Sequence, residues 1–278
     1  MKVIFCLLSC LCLLSCQAPI YLDNQKEIAR IDELPIDQII LELETDSIDQ
    51  ILDTLSRTYL KFDAKQNTVF QRYVQYPPVR IESISYFLES NEPFYKEVHL
   101  PEYQETSYHN AVVRSDGRTE KALYTLQSSE GRDTQFMVFQ YRDRADGTKE
   151  QIRIISKSTE GEGVSIDQYD KQERLTSSVL VLESDTIHIE ERYYRDSLLQ
   201  KIVEKAIIGH PPLKISYYNN DGKLEEEQSF AGVDQNSDML MQTQYSYGSD
   251  GSLQARVEED LTKEKRRYFK YITERKAN

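Results

Sequence analysis

The chain contains no tryptophan, and none of its four cysteines (Cys6, Cys10, Cys12 and Cys16) lies beyond position 16. The rest of the chain therefore has no disulfide, no thiolate metal site and no cysteine nucleophile. A domain of this length buries enough surface to fold without such staples. The four histidines, at 99, 109, 188 and 210, include no pair at helical i,i+4 spacing and no His-Glu-x-x-His. There is no Gly-x-Ser-x-Gly elbow and no phosphate-cradling glycine loop. Basic residues are few: 34 Lys and Arg stand against 47 Asp and Glu. That balance opposes nucleic-acid binding, which needs clustered cations for phosphate. No cofactor, metal site or catalytic residue follows from any motif.

What is present begins with a leader. Met1-Lys2 is a minimal positive start, and residues 3–14 form an apolar run too short to span a bilayer as a helix. Leu13-Leu14-Ser15-Cys16 then sets a small residue before a cysteine. These four residues resemble the lipobox of bacterial lipoproteins. The resemblance implies cleavage after residue 15 and acylation of Cys16, which becomes the new N-terminus. Leu7-Leu8-Ser9-Cys10 has the same spelling but leaves a shorter apolar run before it. The other reading is an ordinary secretory signal with an incidental cysteine. Losing residues 1–15 removes one Lys and no acid, so the net charge moves from −13 to −14. An acidic body repels anionic head groups, so the membrane link expected is the covalent lipid. Gln17 stands after Cys16, where Asp commonly signals inner-membrane retention in such lipoproteins. The expected address is the outer membrane, facing the periplasm.

Residues 16–30 have little apolar periodicity and read as a tether. Residues 31–76 have a different texture. In Ser47-Ile48-Asp49-Gln50-Ile51-Leu52-Asp53-Thr54-Leu55, the apolar residues 48, 51, 52, 55 and 59 fall on one helical face, behind a capping-box pattern at Ser47 and Gln50. That predicts a helix over about 47–62. The similar run at 35–43 suits a helix or a strand. Pro77-Pro78 closes this segment.

From 79 to 278 the pattern is alternation broken by turns. Tyr217-Tyr218-Asn219-Asn220-Asp221-Gly222-Lys223-Leu224 is a β-hairpin in eight residues, since Asn, Asp and Gly tolerate the positive φ of a tight turn. Tyr247-Gly248-Ser249-Asp250-Gly251-Ser252-Leu253 repeats it. Looser copies follow Tyr141, Tyr169 and Tyr194. Short connections favour an antiparallel meander, because parallel crossovers need more chain. Residues 179–182 read as a strand buried on both faces. The expected fold is α+β: a short N-terminal helical segment, then a large antiparallel sheet of successive hairpins.

The Tyr-x-x-Asp-Gly-x-Leu spelling resembles YD-type (RHS-like) repeats over about residues 140–260. Glu173 stands where that family prefers Gly, and the large shells of the family need many more copies. The order of helix before sheet is also similar to bacterial lipoprotein carriers, which hold acyl chains under a curved sheet.

Some residues invite chemistry. His188 and Glu190 share a strand face and offer a ligand pair or a solvated surface pair. Glu225 and Glu227 also share a face, at ~7 Å between Cα atoms, a spacing usable by a glycosidase only if their burial differs. Glu258, Glu259 and Asp260 form a second acidic cluster. Lys263, Lys265, Arg266, Arg267, Lys270, Arg275 and Lys276 gather at the C-terminus, to meet an acidic partner or to protect a sheet edge. The expected function is a non-enzymatic envelope lipoprotein with a structural or partner-binding role. One alternative is a carrier of a lipid or other apolar ligand under the 47–62 helix. Another is a hydrolase of polysaccharide or peptidoglycan.

Overall fold

The structure, a computed structural model, describes residues 23–275 apart from 48, 77, 89–92, 114–117, 157–162, 184 and 208–210. The leader, Cys16, residues 17–22 of the tether, Pro77 and parts of the turns near 91, 115, 161 and 209 lie outside these residues. One short helix, α1 (Asn24–Asp32), precedes eighteen strands. They are β1 (Gln38–Thr45), β2 (Ile51–Phe62), β3 (Thr68–Gln75), β4 (Ile81–Phe87), β5 (Pro93–Leu100) and β6 (Glu105–Val113). Then come β7 (Thr119–Ser128), β8 (Gly131–Asp143), β9 (Lys149–Ser156), β10 (Gly163–Tyr169), β11 (Leu175–Leu182) and β12 (Asp185–Arg195). The last six are β13 (Leu198–Ala206), β14 (Leu213–Tyr218), β15 (Leu224–Phe230), β16 (Met239–Tyr247), β17 (Leu253–Asp260) and β18 (Lys265–Arg275).

Every strand pairs antiparallel with its neighbour in sequence, and β1 also pairs with β18, from Gln38 opposite Arg275 to Thr45 opposite Tyr268. The sheet is therefore a closed barrel with no free edge, which corrects the α+β expectation of an open meander behind a helical segment. The 31–76 segment is also corrected: it supplies β1, β2 and β3. Where a helix was expected over 47–62, the chain turns at 46–50 and runs as β2. Alternation wins over the helical stripe because β2 pairs with β1 over Ile51–Leu60 and with β3 over Ser56–Phe62, which supplies the ladder its backbone needs. Ile51 and Leu52, expected in a buried stripe, are 54% and 61% exposed. Residues 179–182 are half-buried rather than fully buried. Strand β18 is not an edge that needs protection.

The hairpins behave as their spelling requires. In the turns at 63–67, 144–148, 170–174, 219–223 and 248–252, the first residue's N–H donates to the fifth residue's carbonyl. The fourth residue's N–H donates back to the first's carbonyl, and the fourth has positive φ. That is a type I turn followed by a left-handed residue and a bulge. Gly222 (φ 74°) and Gly251 (φ 85°) hold this place in the clean copies, and Glu173 (φ 62°) holds it in the copy without Gly. All five turns lie on one rim, where even-numbered strands hand over to odd ones.

Helix α1 occupies the end of the expected tether. Asp23 caps it by accepting from the Lys26 N–H, and Ile31 is fully buried in a cluster with Val69, Phe70, Tyr86 and Phe94. Lys61 is buried too. Its Nζ donates to the carbonyls of Ile31 and Asp32 at 3.1 and 3.0 Å, so a strand lysine caps the helix C-terminus. The Tyr86 hydroxyl donates to Asp32 at 2.9 Å, and the Asn24 amide donates to Asn110 at 2.7 Å.

Candidate functional site

Strand alternation sorts side chains onto two faces. Lys61, Phe70 and Tyr86, which hold α1, follow one another in register across β2, β3 and β4. The next positions, Leu60 and Gln71, point to the other face and line a groove whose walls come from six consecutive strands, β17, β18, β1, β2, β3 and β4. A groove shared by that many neighbouring strands lies on the concave face of a closed sheet. The groove face is read as the lumen, and Lys61, Phe70 and Tyr86, which hold α1, face the opposite way.

The lumen is charged, and its charges are paired in three groups. In the first, Glu42 accepts from the Tyr271 hydroxyl at 3.0 Å and the Ser56 hydroxyl at 2.9 Å, with Arg256 at 3.0 Å. Arg256 also meets Glu258 at 3.0 Å, and Arg267 meets Glu44 at 3.0 Å. Both guanidinium groups lie over Phe269, at 4.2 and 4.9 Å, which leaves that ring 1% exposed. Burial, chiefly, pushes the Tyr271 phenol up. The nearby Glu42 carboxylate adds to that rise, and Arg256 opposes it.

The second group joins four strands. Glu227 receives Lys214 Nζ at 2.5 Å, the Ser216 hydroxyl at 3.3 Å and the Tyr245 hydroxyl. Burial raises the Glu227 carboxyl, but the hydrogen bonds from Lys214, Tyr245 and Ser216 together pull it below the ordinary glutamate range. Burial opposes the charge on Lys214, and Glu227 and Glu204 outweigh it and raise its pKa. Beside this pair, His188, Glu190 and Glu204 place ligand atoms within 4.8 Å of one another. Arg192 already pairs with Glu190, and Lys214 stands 3.8 Å from Glu204.

The third group surrounds Asp167, which is 5% exposed. It accepts from Ser178 at 2.5 Å and Gln151 at 3.4 Å, with Arg153 at 4.0 Å. Arg153 and Lys96 add their charge to burial, the larger cause, in pushing His109 down.

The acidic and basic clusters of the sequence are split by the same alternation. Glu227 joins the second lumenal group, while Glu225 is exposed. Glu258 faces the lumen, whereas Glu259 pairs outside with Arg266 at 3.1 Å. Asp260 caps the turn into β18, and hydrogen bonds led by the Thr262 hydroxyl and Lys263 lower its pKa to about 2. Arg267 points in; Arg266 and Lys270 point out. Among the described residues these cations thus divide between the two faces, while Lys263, Lys265 and Arg267 line one pocket together. Sequence reasoning missed Glu42, Asp167, Arg153, Lys214, Tyr245 and Arg256. Their signal was a charge at alternate positions of strands whose neighbours were unknown.

The outer wall also carries polar pairs between strand positions. Arg72 bonds Glu82, Glu97 meets His99 at 2.8 Å, and Arg266 meets Glu259. No helix among the described residues is long and apolar enough to cross a membrane.

No family model matches the chain, and no curated protein matches it. Among solved structures, a porin-like protein from Bacteroides uniformis ATCC 8492 is similar at a TM-score of 0.41 and 11% identity. The match covers 87% of this chain and 97% of that one.

Proposed function

We propose that the protein is a non-enzymatic lipoprotein of the bacterial envelope, anchored through acylated Cys16, whose barrel stands outside the bilayer and binds a polar partner through its lumen. The observation that carries this reading is the charge on both faces of one closed sheet. A barrel embedded in lipid presents an outward apolar band ~25 Å tall between aromatic girdles. Here the outer wall holds Arg72 with Glu82 and Arg266 with Glu259 in ion pairs, and Glu97 against His99. The charged lumen also argues against an acyl-chain carrier, because apolar contents would strip water from its ions without replacing the lost interactions. The absence of a 47–62 helix removes the lid that such a carrier would need. Against a hydrolase stands the state of the carboxylates. Glu227 is pulled down in pKa, whereas a general acid must be pushed up.

The test is fractionation of Cys16→Ala. The variant is expected to lose metabolic palmitate labelling and to appear, folded, in the soluble periplasmic fraction. A variant that stays in the membrane through an alkaline wash would mean that the strands themselves span the bilayer, and the reading would fall.

A further inference from the structure

The groove between β17 and β4 differs chemically from the rest of the lumen. It encloses about 630 Å³ at the mouth formed by the 63–67 and 248–252 turns. That volume lies within the range of small-molecule sites, ~300–1,000 Å³. In a chain of which 29% of residues are charged, its lining includes no carboxylate, ammonium or guanidinium group. Its polar members are amides and hydroxyls. The side chains of Gln38, Gln71, Thr58 and Thr273 make no hydrogen bond among the described residues, so their donors and acceptors are available to a ligand. Its apolar members include Leu60, Phe87 and Leu253.

We propose that this groove binds a neutral oligosaccharide. A pyranose has two kinds of surface: a rim of hydroxyls, each both donor and acceptor, and faces of C–H groups. Gln amides offer one acceptor and two donors, and Thr hydroxyls offer both roles, so they match the rim. Phe87 and the leucines match the C–H faces. An anionic ligand would find no cation in the lining, and a cationic one no carboxylate. A fatty acyl chain would leave four amide and hydroxyl side chains desolvated without partners, at a cost to binding. The inference deepens the polar-partner reading above but does not depend on the anchor.

The experiment is calorimetric titration of the full chain, purified in a sugar-free detergent, with neutral gluco-, manno-, xylo- and galacto-oligosaccharides. Oligogalacturonate serves as the anionic comparator. At least one neutral series should bind with a Kd below ~1 mM, and binding should be insensitive to added salt. Gln38→Ala/Gln71→Ala should weaken it about tenfold or more. Gln244→Ala, on the outer wall, should leave it unchanged. Thermal melts of each variant separate loss of the site from loss of the fold. Failure of every neutral sugar to bind folded wild type would overturn the proposal. So would equal affinity in the double variant, or salt-sensitive binding of oligogalacturonate alone. If Cys16→Ala releases the barrel and no sugar binds, only the groove's assignment falls. If sugars bind and the variant stays membrane-bound, only the anchor falls.

Discussion

The hydroxyl of Tyr247 donates to the carbonyl of Leu224 at 2.8 Å, linking the strand that enters one turn to the strand that left the turn before it. The same link recurs from Tyr194 to Leu175 at 2.9 Å and from Tyr141 to Thr119 at 2.8 Å. In each case a cation lies over the ring: Lys223 at 5.3 Å, Arg174 at 4.5 Å and Arg118 at 5.2 Å. The repeated tyrosine is thus a staple between successive hairpins along the rim. Tyr247→Phe should keep the ring contact and lose only the hydrogen bond, at a cost of ~0.5–1.5 kcal/mol in a denaturant melt. Equal stability of Phe and Tyr would mean that the bond contributes nothing.

The turn glycines should be sensitive to shape for a backbone reason. A Cβ on Gly222 would meet only a Leu198 methyl at an ordinary 3.6 Å, so space does not forbid a side chain. The φ of 74° does. Gly222→Val should cost ~1–3 kcal/mol, the usual size of such strain. Gly222→Asn should cost less, since Asn visits the left-handed region. If Val proved as stable as Gly in urea, the left-handed geometry of the turn would be wrong.

The turns were legible because they are local, whereas the tyrosine links, which join residues 19 to 23 apart, were not. Asn-Asn-Asp-Gly and Ser-Asp-Gly specify turn geometry without knowledge of any partner strand. Closure was not legible, because it rests on Gln38 meeting Arg275 across nearly the whole chain. The helix expected at 47–62 failed for a related reason. Ile48, Ile51, Leu52, Leu55 and Tyr59 satisfy a 3.6-residue period, but the same run contains the β-branched residues and tyrosine that a strand accepts equally well. The real helix was short and carried weaker signals: an Asp23 cap, a Glu27–Arg30 pair at 3.0 Å, and Ile28 with Ile31 on one face. The charged groups of the lumen were invisible because each is assembled from strands whose pairing the sequence does not state. Only the register shows that Glu42 stands between Ser56 and Tyr271.

The docking of α1 can be tested against that failed helix. Ile31 is fully buried, so Ile31→Ala should cost ~2–5 kcal/mol. Leu52 is 61% exposed on β2, so Leu52→Ala should change stability by no more than ~0.5 kcal/mol. Urea melts of the two variants decide it. A large loss at Leu52 with none at Ile31 would reverse the assignment of the buried helix.

The Lys214–Glu227 pair should give the barrel a defined pH dependence. Glu227 has a lowered pKa in the folded state. Its contribution is therefore fully present above the unfolded value, about 4.3, and is lost as pH falls through the folded value. Lys214 has a raised pKa, so its contribution is present below about 10.4 and is lost as pH rises through the folded value. Glu227→Gln keeps the shape and removes the charge. It leaves Lys214 to Glu204, 3.8 Å away, and leaves the Tyr245 hydroxyl a neutral acceptor. The variant should lose ~1–3 kcal/mol near neutrality, because one partner of a half-buried pair is gone. Its acid limb should be shallower than that of wild type, so that the two stability curves converge as pH falls through the lowered folded value of Glu227. Lys214→Met should flatten the alkaline limb instead. Chemical denaturation at a series of pH values measures both. Parallel acid limbs for wild type and Glu227→Gln would show that the pair does not set the acid stability of the barrel.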